Sequence, residues 1–245
     1  MKSKVKYVIS ASLFLLFTVL IVLLKTVDVK ENAVGGEIGL SHINLAVHGF
    51  TGVNGLWDKL TDVIAAISIL IAAFFTVLGL IQLIKRRSIK KVDREILYMG
   101  GLYIAVVALY FLFEKVVINL RPTEAEASFP SSHTMVACVI FGAAILVFDK
   151  YIKNKALSLA AKIFCTALII TAVAGRLISG VHWLTDICGA VLISGALVAL
   201  YSALPMPKDT DGPDGDEEDG EDEEDFSVQT EEKIKLDEST DKEDK

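Results

Sequence analysis

Two arginines, two histidines and an aspartate occur in an order suited to chemistry on a phosphoryl group. Lys115 precedes Arg121-Pro122; Phe129-Pro130-Ser131-Ser132-His133-Thr134 follows; Gly175-Arg176 then leads to His182-Trp183-Leu184-Thr185-Asp186. The guanidinium fork donates paired hydrogen bonds to phosphate oxygens and stays charged at any physiological pH. Arg121 and Arg176 together can neutralise a phosphoryl group and the charge of its transition state. Ser131 and Ser132 follow a proline and begin a predicted helix, where free backbone N–H groups and the positive end of the dipole favour an anion. His182 and Asp186 lie four apart, so on a helix they share a face. A carboxylate on one imidazole nitrogen fixes the tautomer and frees the other nitrogen to attack phosphorus, with Asp186 orienting His182. Protonating the departing oxygen, and then activating water, calls for a second histidine. His133, beside the serines, suits both steps.

These residues need a scaffold that brings them to one level, and the composition says which. Of 245 residues, 53% are hydrophobic and 22% charged. That balance sets aside a soluble α/β enzyme, a disulfide scaffold and a sequence-specific nucleic-acid binder. Six apolar stretches, 7–24, 63–84, 96–113, 134–148, 156–174 and 183–204, lie near the ~20 residues a helix needs to cross a bilayer. Turns from Ser131 to Ile152 extend the fourth, and Lys162 in the fifth can snorkel to the interface. The first stretch is expected to be a retained membrane helix rather than a signal peptide, because it is long and lacks small residues at a cleavage position. The expected fold is therefore all-α, a six-helix membrane bundle over residues 1–207. Residues 208–245 carry 19 acidic against 5 basic side chains and are expected to form a disordered acidic tail, with no calcium loop and no identifiable partner.

Lys and Arg number 12 on the segments that six crossings place inside and 6 on those they place outside. By the positive-inside rule both termini are expected in the cytoplasm and the polar residues on the extracytoplasmic face. The outer loop Lys25–Asp62 is expected to rest in the headgroup layer with Trp57 marking the interface, and His42 and His48 to be polar groups there. Cys138, Cys165 and Cys188 fall in apolar runs and are expected to be buried thiols.

Taken together the motifs resemble those of the type-2 phosphatidic acid phosphatase (lipid phosphate phosphatase) superfamily, K-x6-R-P, P-S-G-H and S-R-x5-H-x3-D. Here they read Lys115, five residues, Arg121-Pro122; Pro130-Ser131-Ser132-His133; and Gly175-Arg176, five residues, His182, three residues, Asp186. The resemblance implies that His182 is the phosphate-accepting nucleophile, His133 the acid and base, and Asp186 the orienting carboxylate. It further implies that Arg121, Arg176, Ser131, Ser132 and Lys115 bind phosphate, and that no metal or other cofactor takes part. Three departures stand out: Ser132 for the motif glycine, Gly175 for the motif serine, and a lysine one residue late. That last shift is about 100° on a helix and leaves Glu114 at the family position.

The implied activity is a metal-independent lipid phosphate phosphohydrolase working through a phosphohistidine, on undecaprenyl diphosphate first and phosphatidylglycerophosphate or phosphatidate next. A site at headgroup depth meets lipid substrates by lateral diffusion in the bilayer. Phosphotransfer to an acceptor other than water is a variant of the same chemistry. The rival of another class is a non-catalytic lipid-phosphate transporter or scaffold, since charges within a bundle also mark transport pathways.

Overall fold

The computed structural model describes residues 3–32 and 34–205, so the expected acidic tail lies outside the described residues. Helices α1 (Ser3–Thr26), α2 (Ser41–Thr51), α3 (Gly55–Arg86), α4 (Arg94–Lys115), α5 (Ser132–Tyr151), α6 (Lys155–Ser179) and α7 (Leu184–Ala203) make up the body. All but α2 are long and apolar enough to span a membrane. Between α1 and α2 a minimal antiparallel hairpin pairs β1 (Lys30–Glu31) with β2 (Glu37–Ile38).

The chain is thus the all-α, six-span bundle that the apolar stretches predict. One boundary differs with consequence: α3 begins at Gly55, so Trp57, Asp58 and Asp62 form its first turns instead of ending a loop. The signal is local. Asn54 caps the helix by accepting from the N–H groups of Leu56 and Trp57, and an acidic first turn suits the dipole. Part of the stretch expected to lie loosely in the headgroup layer is likewise helix α2.

Helix α5 is the hub, packed against α3, α4, α6 and α7, while α1 lies along α7. Lipid tails are as apolar as leucine, so close backbone approach and interhelical hydrogen bonds must hold such helices together. Both are visible here. Ala137, Ala143 and Ala144 of α5 and Ala190 of α7 are fully buried, and a Cβ on Gly195 would come within 3.1 Å of Leu13. Ser3 and Ser10 of α1 donate to the carbonyls of Ala203 and Ala196 on α7, at 2.9 and 2.8 Å.

At the end of the bundle opposite the motifs, the carboxylates of Asp93, Glu95 and Asp149 are each paired. Lys150 holds buried Glu95 at 3.0 Å, and Asp93 accepts from Arg86, Gln82 and Tyr151. Lys162 pairs with Asp149 on the same side. Of the cysteines, Cys165 is buried, Cys138 half-buried and Cys188 exposed, which corrects the expectation for the last. An apolar run implies burial only where water is the solvent; on a spanning helix, lipid solvates the outward face equally well.

Candidate functional site

The motifs meet at one end of the bundle, where α4 and α6 finish and α3, α5 and α7 begin. Between α4 and α5 the chain doubles back. A bridge pairs Leu120 with Ala127, the Ser128 N–H donates to the Asn119 carbonyl, and the Trp183 indole N–H pins the loop through the Leu120 carbonyl at 2.7 Å. That fold sets Asn119, Arg121 and Ser128 against the start of α7. Helix α6 closes on Gly180 at φ +69°, a left-handed position that suits glycine, and a Cβ there would strike the Gly52 carbonyl. The chain then reaches His182 within two residues.

His182 stands before α7, not on it, because the helix starts at Leu184. The pairing with Asp186 expected from helical spacing is therefore indirect: Nδ1 and Oδ2 are 3.7 Å apart. The hydroxyl of Ser128 stands between them, 3.2 Å from His182 Nδ1 and 2.5 Å from Asp186 Oδ2. Asp186 is fully buried and also accepts from Asn119 at 3.2 Å and from the Trp183 N–H at 2.8 Å. With its single proton committed to the carboxylate, Ser128 can only accept from the imidazole. His182 consequently carries its proton on Nδ1 and presents the Nε2 lone pair. Burial holds the His182 pKa below its ordinary value against the opposing pull of Asp186, with Arg176 and Arg121 reinforcing the burial effect. The ring is therefore neutral near pH 7, as a nucleophile requires.

Arg176 Nη2 lies 3.5 Å from His182 Nε2, and the side chain is only 2% exposed. Its Nη1 donates to Asp58 at 2.5 Å and to Thr61 at 3.1 Å, with Asp62 at 3.5 Å. His133 Nε2 is 3.1 Å from that same Asp62 oxygen. A continuous set of contacts thus runs from His182 through Arg176 and Asp62 to His133. Arg121 lines a cavity of about 20 Å³ together with His182, Ser128 and Ser132. Its nearest carboxylates are Glu126 at 3.6 Å and Glu124 at 3.9 Å, both exposed.

Several buried polar atoms converge here without a protein partner: Arg121 Nε, Arg176 Nε, Ser131 Oγ, His133 Nδ1 and Thr134 Oγ1. Unpaired buried polar groups are costly, and most of these can donate. Such a set suits an anion with several oxygens.

The structure brings His182, Asp186, His133, Arg121, Arg176, Ser131 and Ser132 to this end. Lys115 differs. It is exposed at the last residue of α4, whereas Glu114 lines the cavity, as the one-residue shift implies. His42 and His48 serve the scaffold. His42 pairs with Asp28 at 2.8 Å, and His48 contacts the Gly180 carbonyl at 3.0 Å and packs on Trp183. The backbone N–H of His42 also donates to Asp28, holding that carboxyl at a pKa of about 2.

Sequence reasoning missed Ser128, Asn119, Asp58, Thr61 and Asp62. Ser128 directly precedes Phe129-Pro130 and could have been flagged by position; the α3 residues offered no motif.

The departure at Gly175 has a steric cause. A Cβ there would sit 2.7 Å from Thr61 Cγ2 and 3.1 Å from Trp57. Thr61 instead supplies a hydroxyl to Arg176. Gly175→Ser is therefore expected to destabilise the protein by about 1–3 kcal/mol. Thermal unfolding in detergent measures this, and an unchanged midpoint would contradict the packing described.

Comparison with known proteins comes to the same region. The family model "PAP2 superfamily" matches residues 110–208. A crystal structure described as the first transmembrane PAP2 type phosphatidylglycerolphosphate phosphatase, from Bacillus subtilis, superposes with a TM-score of 0.56. It covers 79% of this chain and 93% of that one at 18% identity, a likeness of fold. Comparison with curated proteins finds no match.

Proposed function

We propose that the protein is a multi-pass membrane phosphatase that hydrolyses the terminal phosphate of a lipid through a phosphohistidine on His182, a reading supported by the match of residues 110–208 to the PAP2 superfamily model and by the six spanning helices. The observation that carries this reading is the Asp186–Ser128–His182 relay, which leaves a neutral imidazole with Nε2 free beside Arg176.

In the first step the Nε2 lone pair attacks phosphorus and the bond to the lipid oxygen breaks. That oxygen takes a proton from His133. Positive charge arising on His182 is balanced through Ser128 by Asp186. Arg176 and Arg121 stabilise the charge on the equatorial oxygens. In the second step His133, now neutral, removes a proton from water as it attacks the phosphohistidine, and inorganic phosphate leaves. The order of proton transfers regenerates both histidines. Ser131 and Ser132, at the start of α5, add donors at the positive end of a helix dipole.

The distribution of lysine and arginine supports a topology with both termini in the cytoplasm and the site on the extracytoplasmic face. A terminal phosphate on a membrane lipid is the substrate class. Undecaprenyl diphosphate, favoured from sequence, belongs in a panel beside phosphatidylglycerophosphate, named in the neighbour's description, and phosphatidate. Transport is the weaker reading, because five of the buried polar atoms without a protein partner, on Arg121, Ser131, His133, Thr134 and Arg176, lie at the motif end of the bundle.

The test is release of inorganic phosphate by the purified protein in detergent with excess chelator. Release from at least one of the three lipids supports the reading, and failure on all of them contradicts it. Ser128→Ala is expected to lower kcat about 10–100-fold, the loss of one hydrogen bond to a charged group, with KM nearly unchanged. Wild-type kcat in this variant would remove Ser128 from the relay.

A further inference from the structure

Helix α3 lies outside the matched family segment, yet it supplies the only carboxylates in contact with Arg176 and His133 among the described residues. Asp58 Oδ1 sits 2.5 Å from Arg176 Nη1. Asp62 Oδ1 lies 3.5 Å from that nitrogen and 3.1 Å from His133 Nε2. One carboxylate oxygen thus touches both an arginine and a histidine that, on the reading above, contact the substrate phosphate. Their exposures differ: the Arg176 side chain is 2% exposed, Asp58 36% and Asp62 53%. A buried guanidinium needs a counter-ion, while carboxylates with water access can leave at small cost. Arg176 Nε, buried and without a protein partner, is an additional donor that these carboxylates leave unused.

We propose that Asp58 and Asp62 are built-in counter-ions that occupy the phosphate-binding groups in the free enzyme and are displaced by the incoming phosphate. The proposal rests on the phosphatase reading. The two carboxylates compete with substrate for Arg176 and His133, so they weaken phosphate binding and speed release of the product. They also set a charge requirement. A dianionic phosphate monoester matches the charge it replaces, whereas a monoanionic diester exchanges one negative charge for two and is rejected. Substitution of either aspartate by its neutral amide removes a competitor without removing a phosphate ligand.

The test is calorimetric titration of the full-length protein in detergent at pH 8 with inorganic phosphate, for the parent, Asp58→Asn and Asp62→Asn. The dissociation constant is expected to fall about tenfold in each variant, with a parallel fall in the constant for product inhibition by phosphate. Each variant retains the other counter-ion, so either one carries the test if its partner fails to fold. Unchanged or weaker phosphate binding in the folded variants, with binding intact in the parent, overturns the inference and leaves the phosphatase reading standing. A loss of kcat at an unchanged phosphate constant would instead make Asp62 an orienting partner of His133, and also overturns it. No phosphate binding in parent or variants contradicts the phosphate site itself.

Discussion

Replacing His182 with alanine is expected to cut phosphate release from the lipid substrate by at least about a thousandfold, the scale of losing a nucleophile that works within a coupled set. The argument is geometric. Asp186 is buried and accepts from Asn119, Ser128 and the Trp183 N–H, so it is held rigidly. Ser128 transmits that orientation to Nδ1, and Nε2 is the remaining nitrogen, facing Arg176. Burial keeps the ring neutral, since it holds the pKa below the ordinary histidine value. No other imidazole combines a fixed tautomer with a free nitrogen beside a buried arginine among the described residues. Phosphate release measured with chelator present, together with a thermal midpoint to show folding, makes the comparison. Substantial turnover by folded His182→Ala would remove the nucleophile from the account.

The second large effect concerns His133. His133→Gln is expected to slow hydrolysis of an alkyl lipid phosphate by about 10²–10⁴-fold, the usual contribution of a positioned acid or base. The loss is expected to shrink in the first step when the leaving group is an aryl oxide, which departs without a proton. The second step still needs a base, so the variant should accumulate phosphoenzyme from an aryl phosphate. Single-turnover measurements with both kinds of substrate check this. Equal loss on both, with no accumulation, would show that His133 holds structure and does not transfer protons.

Much of the architecture was legible because membrane helices announce themselves by length and apolar content. Six spans are expected and the described residues hold six helices long and apolar enough to cross a membrane, with ends displaced mainly where polar residues belong to a helix. The first turns of α3 illustrate the limit. Asp58 and Asp62 end an apolar run from outside, so hydropathy cuts the helix before them, although the Asn54 cap extends it. The motif residues could be named because their types and order carry the chemistry. Their connections could not. Spacing put His182 and Asp186 on one helical face, but a helix starting at Leu184 leaves His182 outside, and the loop from 119 to 128 brings Ser128 from 54 residues away. A contact of that kind depends on tertiary folding and leaves no periodic trace. Lys115 was the reverse case: the register argument alone predicted trouble, and Glu114 is the residue lining the cavity.

The central claim is that His182 Nε2 forms a bond to phosphorus. Its most direct measurement is a rapid acid-free quench of the purified protein during turnover of a lipid labelled in its terminal phosphate, followed by mapping of the labelled residue. The account predicts label on His182 that is stable to base and lost in acid, absent from His182→Ala, and increased in His133→Gln when the labelled substrate is an aryl phosphate. Turnover by the parent with label on another residue, or no label on the parent from the lipid together with none on His133→Gln from the aryl phosphate, would contradict it.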